Sequence, residues 1–366
     1  MVNQLNSAPA LWDAGGDDTL ICREVRQETL DVKTFVLGAP LPRLIRYSPG
    51  QFITLELEIG GQTVNRCYTL SSSSTRPDTV SITVKRVPGG PVSNWLHDNV
   101  KVGDSLRVLG PSGAFSCFLH AMPARQKYLF LSAGSGITPL MSMSRAIHDL
   151  ALDADVAFVH SARTPDDIIF HRELELMAFN RAGFRLGLVC ERRGAQAAWA
   201  GFNGFISQAV LSNVAPDFLE RKVFTCGPAP YMAAVRKLLL DAGYDMANYH
   251  EESFSFETLS SEAEAGHDAE DMTAEPGAAA QFSVNFTRSG DTVSCGAGQT
   301  ILAAARGAGM RLPTSCTQGL CGTCKTKMVS GQVDMKHAGG IRQREIDQGW
   351  ILPCCSKPLS DVVLER

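Results

Sequence analysis

No apolar run in the chain approaches the roughly 20 residues that a membrane-spanning helix needs, so an integral helical membrane protein is not expected. Lys and Arg are neither clustered nor interleaved with aromatics, which make up only 7% of the residues. Nothing therefore marks a nucleic-acid surface. Met1 to Asp18 has neither a basic start nor an apolar stretch, so no secretory leader is expected. The cysteines number 11 yet lack a disulfide-like rhythm, which fits the reducing cytoplasm. What remains is an ordinary globular composition, 44% hydrophobic and 20% charged over 366 residues, enough for two or three domains with their own cores.

Charge is unevenly spread. The stretch 257–280 holds seven acidic residues, no Lys and no Arg, and is rich in Ala, Ser and Gly. It reads as a linker, able as a flexible coil to span about 25–30 Å. After it, 281–366 carries 10 basic and 6 acidic residues. Before it the chain has two styles. Residues 19–120 alternate short β-like runs with turns, as at Phe52 to Leu57 and Val80 to Val84, the pattern of an antiparallel barrel. Residues 121–256 alternate apolar strands with amphipathic helices, the pattern of a doubly wound α/β sheet. The expected order is an N-terminal tail (1–18), barrel, α/β domain, linker and a small α+β domain (281–366).

Four cysteines of that last domain, Cys316, Cys321, Cys324 and Cys354, are spaced C-x4-C-x2-C-x29-C. Three thiolates within nine residues and a fourth from a distant turn fit a plant-type 2Fe-2S cluster. Gly319 and Gly322 between them permit the backbone angles of a tight loop. The alternative is structural zinc, but zinc ligands usually come as two C-x2-C pairs. Cys355 directly follows Cys354, so spacing alone leaves the fourth ligand ambiguous by one residue.

Two segments of the barrel point to a flavin. Arg66-Cys67-Tyr68-Thr69-Leu70-Ser71-Ser72 offers a cation for a phosphate, an aromatic ring for the isoalloxazine and a hydroxyl for its N5 edge. Strict alternation would put Arg66, Tyr68 and Leu70 on one face and Thr69 on the other. Gly89-Gly90-Pro91-Val92-Ser93-Asn94-Trp95-Leu96 is a turn into a short helix. There Gly90, Val92 and Ser93 are placed to meet a pyrophosphate, with Ser93 expected as the N-cap. Gly110 to Phe115 adds a further glycine turn.

The α/β region has two strand–turn–helix junctions. Leu131-Ser132-Ala133-Gly134-Ser135-Gly136-Ile137-Thr138-Pro139 is a glycine loop of the kind that cradles a dinucleotide pyrophosphate. Gly134, Gly136, Thr138 and Pro139 are its expected contacts. Thr225-Cys226-Gly227-Pro228 would lie on the same carboxyl edge, where ligands of such sheets bind. Cys226 is either a small buried residue, the common fate of a free cysteine, or a nicotinamide contact, which its place at the edge favours.

Together these segments resemble the ferredoxin–NADP reductase superfamily. Arg66-x-Tyr68-Thr69-x-Ser71 is similar to its flavin motif, Gly134-x-Gly136-x-x-Pro139 to its nucleotide loop and Cys226-Gly227-Pro228 to its hydride-transfer motif. The cysteine pattern resembles a plant-type ferredoxin domain of β-grasp fold. The order flavin, nucleotide, ferredoxin resembles reductases of Rieske-type oxygenases, and most of all those of quaternary-amine demethylases such as glycine betaine monooxygenase. The resemblance implies FAD on the Gly89–Leu96 turn, where the phthalate-dioxygenase type carries FMN. It implies NADH as donor, with NADPH possible through Ser161, Arg163 or Arg172. Cys226, Thr69 and Glu252 become the implied catalytic groups and Phe254 a cofactor contact. Cys354, four residues before Pro358, becomes the fourth cluster ligand. Electrons would pass from NADH through FAD and the cluster to a terminal Rieske-type oxygenase, from a cytoplasmic monomer. A diiron hydroxylase, an epoxidase or a hybrid-cluster protein is the alternative acceptor. A redox sensor is the remaining alternative.

Overall fold

The structure is a computed structural model that describes residues 9–13, 17–119, 125–194, 199–253, 280–314, 317, 319, 322, 324–337, 341 and 343–366. The first compact unit holds residues up to Val64 and Tyr68–Ser255; the second holds Phe256–Arg366 with Asn65–Cys67. Among the described residues no helix is long and apolar enough to cross a membrane.

The first unit opens with β1 (Thr19–Thr29), β2 (Val32–Gly38), β3 (Phe52–Ile59), β4 (Gln62–Thr69), β5 (Val80–Lys85), α1 (Pro91–Asn99) and β6 (Ser105–Ser112). The six strands form one sheet in the order β4-β3-β6-β1-β2-β5. Its two outer strands come together at a single antiparallel bridge, Leu70 with Ile82. The sheet is thus curled into a barrel-like form whose seam is one bridge rather than a ladder. Alternate residues such as Phe35, Leu37, Ile53, Leu55, Ile82 and Val108 fill its interior, as period-2 patterning requires.

The same unit continues with β7 (Gln126–Ala133), α2 (Ile137–Asp149), β8 (Ala154–Ala162), α3 (His171–Asn180), β9 (Phe184–Cys190), α4 (Gln208–Val214), β10 (Lys222–Gly227), α5 (Ala229–Asp241) and β11 (Tyr249–Ser253). The strands are parallel and ordered β9-β8-β7-β10-β11, with a short strand, Phe202–Asn203, beyond β9. This is the doubly wound order expected from the sequence. Its strands are apolar on both faces because helices cover both. Tyr128, Phe130, Phe158 and Phe224 face a core shared with Leu140 and Met141 of α2 and Leu174 of α3. Leu129, Leu131, Val159 and Val223 face the opposite core, with Leu211 of α4 and Leu239 of α5.

Helix α2 also grips the end of β4. Ser142 Oγ donates to the Ser72 carbonyl at 2.7 Å, and the Arg145 guanidinium donates to the Ser71 carbonyl. Arg145 is itself fixed by a bidentate pair with Glu173, 2.6 and 2.8 Å, and lies 4.5 Å over the Phe170 ring. One turn further on, Asp149 accepts from Thr75 at 2.7 Å and from Arg76 at 2.8 Å. The helix that starts at the nucleotide loop therefore also holds the end of the flavin motif and the turn after it.

The second unit contains β12 (Gln281–Phe286), β13 (Asp291–Gly296), α6 (Ile301–Gly307), β14 (Thr326–Ser330), β15 (Val333–Met335), α7 (Gln343–Asp347), β16 (Trp350–Ile351), β17 (Ser356–Pro358) and β18 (Val362–Glu365). Its main sheet is mixed, ordered β13-β12-β18-β14-β16, and β15 pairs with β17 alongside. Ile301, Leu302 and Ala305 of α6 pack into the core with Phe286, Val284 and Leu364. A helix seated on a mixed sheet is the α+β arrangement that the sequence implies.

Candidate functional site

The carboxyl edge of the α/β sheet is organised in two rows. Phe158, Phe130, Phe224 and His250 stand in register on four adjacent strands. Neighbouring rings meet edge to face at 6.0 Å for Phe158–Phe130 and for Phe130–Phe224, then stack at 4.6 Å for Phe224–His250. Two residues further along the same strands, and so on the same face, come His160, Ser132, Cys226 and Glu252. An aromatic row therefore supports a polar one.

Thr69, from the end of β4, completes the polar row, its Oγ1 donating to Glu252 Oε2 at a long 3.5 Å. Thr69 is 5% exposed and Cys226 0%. Glu252 keeps some accessible surface, but its carboxyl is densely surrounded. Burial pushes its pKa up to about 8, while the bond from Thr69 pulls the other way. Burial, aided by the charge that Glu252 carries when ionised, drives the Cys226 thiol far above its ordinary value. Burial likewise brings His160 down to about 3. Near neutral pH the row is thus uncharged, with a protonated acid, a thiol and a neutral imidazole.

The two glycine loops meet beside this row. A Cβ on Gly136 would lie 2.3 Å from the Cys226 carbonyl oxygen and 2.6 Å from the Gly227 nitrogen, so only glycine allows the loops to touch. Gly134 has a φ of +52° and nothing within 4 Å of where its Cβ would stand. Next to it starts α2, with Gly136 as N-cap and Thr138 and Pro139 in its first turn. Open space over a glycine at a helix N-terminus fits a pyrophosphate. Pro228 is the N-cap of α5, which carries the Cys226-Gly227 junction onto the opposite face of the sheet.

In the barrel, Arg66 and Tyr68 lie on β4, and Tyr68 packs against the core. Leu70 is fully buried there, its N–H donated to the Gln51 carbonyl. Ser71 bonds Ser81 and Thr83 through its hydroxyl, at 3.2 and 2.8 Å. Both residues thus anchor the strand end, and Thr69 is the residue of the segment that reaches across to Glu252. Ser93 corrects the sequence-based expectation. Helix α1 begins at Pro91 with Gly90 as its N-cap and no side-chain cap bond. Proline's fixed φ suits the first helical position, so the helix starts two residues earlier than Ser93. The Ser93 hydroxyl instead accepts from the Val87 N–H at 3.1 Å, and Val92 is buried at 3% exposure.

Arg163, which the sequence offers to a 2′-phosphate, is held by Asp31 at 3.1 Å and Asp167 at 2.9 Å. A guanidinium between two carboxylates is poorly placed for a further anion, which favours NADH.

In the second unit Cys324 and Cys354 are buried in one core. Cys355 Sγ donates to the Leu352 carbonyl at 3.6 Å and lies 2.7 Å from where a Cβ on Gly319 would stand. Its thiol packs against Gly319 of the cysteine loop, while Cys354 lies in the same core as Cys324. Thiolate-forming cysteines at the base of a glycine-rich loop suit an iron–sulfur cluster. Cys316, Cys321 and Phe254 lie outside the described residues.

Ser132, His160 and Arg145 belong to this site, and no motif assigns any of them a role. The signal for the first two is cross-strand register, visible only once the sheet order is known.

Three family models match the chain: an oxidoreductase FAD-binding domain over residues 20–117, an oxidoreductase NAD-binding domain over 130–237 and a 2Fe-2S iron-sulfur cluster binding domain over 284–359. The glycine betaine monooxygenase reductase subunit of Pseudomonas aeruginosa is 48% identical, covering 99% of each chain. The stachydrine N-demethylase reductase subunit of Rhizobium meliloti is 43% identical over 95% of this chain and 96% of its own. Among solved structures, phthalate dioxygenase reductase shares the fold across 96% of this chain and 98% of its own, with a TM-score of 0.57 and 24% identity.

Proposed function

Because the chain belongs to the family of NADH-dependent reductases that join an FAD-binding, an NAD-binding and a 2Fe-2S domain, we propose that it serves a Rieske-type oxygenase which demethylates a quaternary amine such as glycine betaine. It acts in the cytoplasm as a monomer. Full-length likeness to monooxygenase reductase subunits is the observation that carries this reading.

When bound, the flavin takes two electrons from NADH and releases them singly to the 2Fe-2S cluster. The chain's residues supply place and environment. Arg66, Tyr68 and Thr69 hold the flavin along β4, with Gly90, Val92 and Ser93 at its pyrophosphate. Leu70 and Ser71 fix the strand end that aims Thr69. The open face of Gly134, with the first turn of α2 at Thr138 and Pro139, receives the NADH pyrophosphate. Gly136, Gly227 and Pro228 bring Cys226 against the nicotinamide. Glu252 keeps a proton on its carboxyl at neutral pH, so it orients the ring as a donor without placing a fixed negative charge beside it. Phe254, two residues after Glu252 in the sequence, is a further contact. Cys316, Cys321, Cys324 and Cys354 hold the cluster.

The test is NADH-dependent demethylation by a glycine betaine oxygenase supplied with the purified chain, with a dioxygenase for aromatic acids as control. The reading requires turnover with the amine oxygenase and much less with the control; the reverse preference refutes it. Cys321→Ser should stop transfer to the oxygenase while leaving NADH-driven reduction of ferricyanide, which needs the flavin alone.

A further inference from the structure

Arg366 is a cation of the second unit that the proposed reaction leaves without a role. Strands β14 and β18 run antiparallel with Lys327 opposite Glu365, so the residue after β18 arrives beside the start of β14. There Arg366 Nη1 donates to Thr326 Oγ1 at 3.1 Å, and the Thr326 hydroxyl donates to the Cys324 carbonyl at 2.8 Å. Thr326 and Cys324 are each 2% exposed, and Arg366 is half-buried. The Arg366 carbonyl is fixed as well, accepting from the Arg288 and Ser289 N–H groups at 2.7 and 3.3 Å. Neighbouring cations have acidic partners, Arg288 in Glu365 at 2.9 Å and Lys325 in Glu345 at 2.6 Å. Among the described residues no side-chain carboxylate pairs with the Arg366 guanidinium. Burial holds its pKa down, and the Cys324 thiol, when ionised, opposes this. The two groups are thus within electrostatic reach.

From these contacts we infer that Arg366 raises the reduction potential of the cluster that Cys324 helps to hold, its charge being anchored beside that ligand through Thr326. Reduction adds a negative charge to a thiolate-bound cluster, and nearby charge is one of the levers on its potential. A guanidinium stays protonated throughout the working pH range, and a partly buried charge is screened less than an exposed one. A fixed positive charge at this place therefore favours the reduced state and draws electrons towards the exit. The inference rests on the reading of Cys324 as a cluster ligand.

Redox titration of the full-length holoenzyme tests this without turnover, the cluster being followed by its visible and electron paramagnetic resonance signals. Arg366→Gln, which can still donate to Thr326, should lower the ratio of reduced to oxidised cluster at a fixed potential about tenfold. For a one-electron couple that is a shift of about 59 mV. Arg366→Lys, which keeps the charge, should stay within about twofold of the unmodified protein. Arg288→Gln, which removes an exposed charge already paired with Glu365, should do the same. An unchanged potential in Arg366→Gln overturns the inference, as does a fall in Arg366→Lys or Arg288→Gln equal to that in Arg366→Gln. Loss of the cluster from Arg366→Gln would make the contact structural and overturns it too. A cluster retained in Cys324→Ala would instead overturn the ligand reading on which the inference rests.

Discussion

The two rows at the carboxyl edge of the α/β sheet differ by a step of two residues on the same four strands. Phe158, Phe130, Phe224 and His250 form the lower row; His160, Ser132, Cys226 and Glu252 form the upper. Both lie on the same face of the sheet. The lower row is hydrophobic core, its rings packed edge to face or stacked. The upper row has equally little contact with water at His160, Ser132 and Cys226, but it carries polar atoms, and burial strips the charge from each titratable one. In this sheet the boundary between stability and chemistry is one pleat wide, and the barrel reaches it through Thr69.

If that boundary is real, mutations on either side of it should fail differently. Phe224→Ala should have the largest effect. It removes a ring touching Phe130, Tyr128, Phe115 and His250 and should cost about 3–5 kcal/mol of stability, read as a lower denaturation midpoint. A midpoint close to that of the unmodified protein would show that the lower row is not core.

Glu252→Gln should instead alter pH dependence. The folded pKa of Glu252, about 8, lies above its ordinary value of 4.5. The folded state therefore binds more protons than the unfolded state between these values. Its contribution to stability is complete below about pH 4.5 and is lost as pH rises through 8. Denaturation midpoints measured across this window should fall less steeply with pH in Glu252→Gln. Parallel curves would place the carboxyl in water. Thr69→Val should have the smallest effect. Removing a hydroxyl that lowers the Glu252 pKa should move the corresponding inflection to higher pH, and a shift to lower pH would contradict the contact.

Much of the architecture was legible in the sequence because its signals are local. The cysteine spacing, the two glycine loops and the switch from alternating to continuous apolar strands each occupy a few consecutive residues. The helix start at Pro91 was also local, but the preference of serine for an N-cap outweighed that of proline for the first turn, and it displaced the expected cap to Ser93. Glu252 entered only through the resemblance, and the burial of its carboxyl had no local signal. On its own strand it reads as a charge among His250, Glu251 and Ser253, and only pairing with β10 puts it beside Cys226. The Ser132–His160 bond is likewise a product of register between strands 28 positions apart, for which no short pattern exists. The grip of α2 on Ser71 and Ser72 depends in the same way on how two folded layers meet.

The central claim is that electrons enter this protein at the upper row, beside Cys226, and leave it at the cluster. Anaerobic stopped flow with Cys226→Ala tests it most directly, with NADH as reductant and the flavin and cluster bands followed separately. Flavin reduction should slow by about tenfold or more, while passage of electrons from flavin to cluster keeps its ordinary rate. Flavin reduction at the unmodified rate, or equal slowing of both steps, would contradict the account.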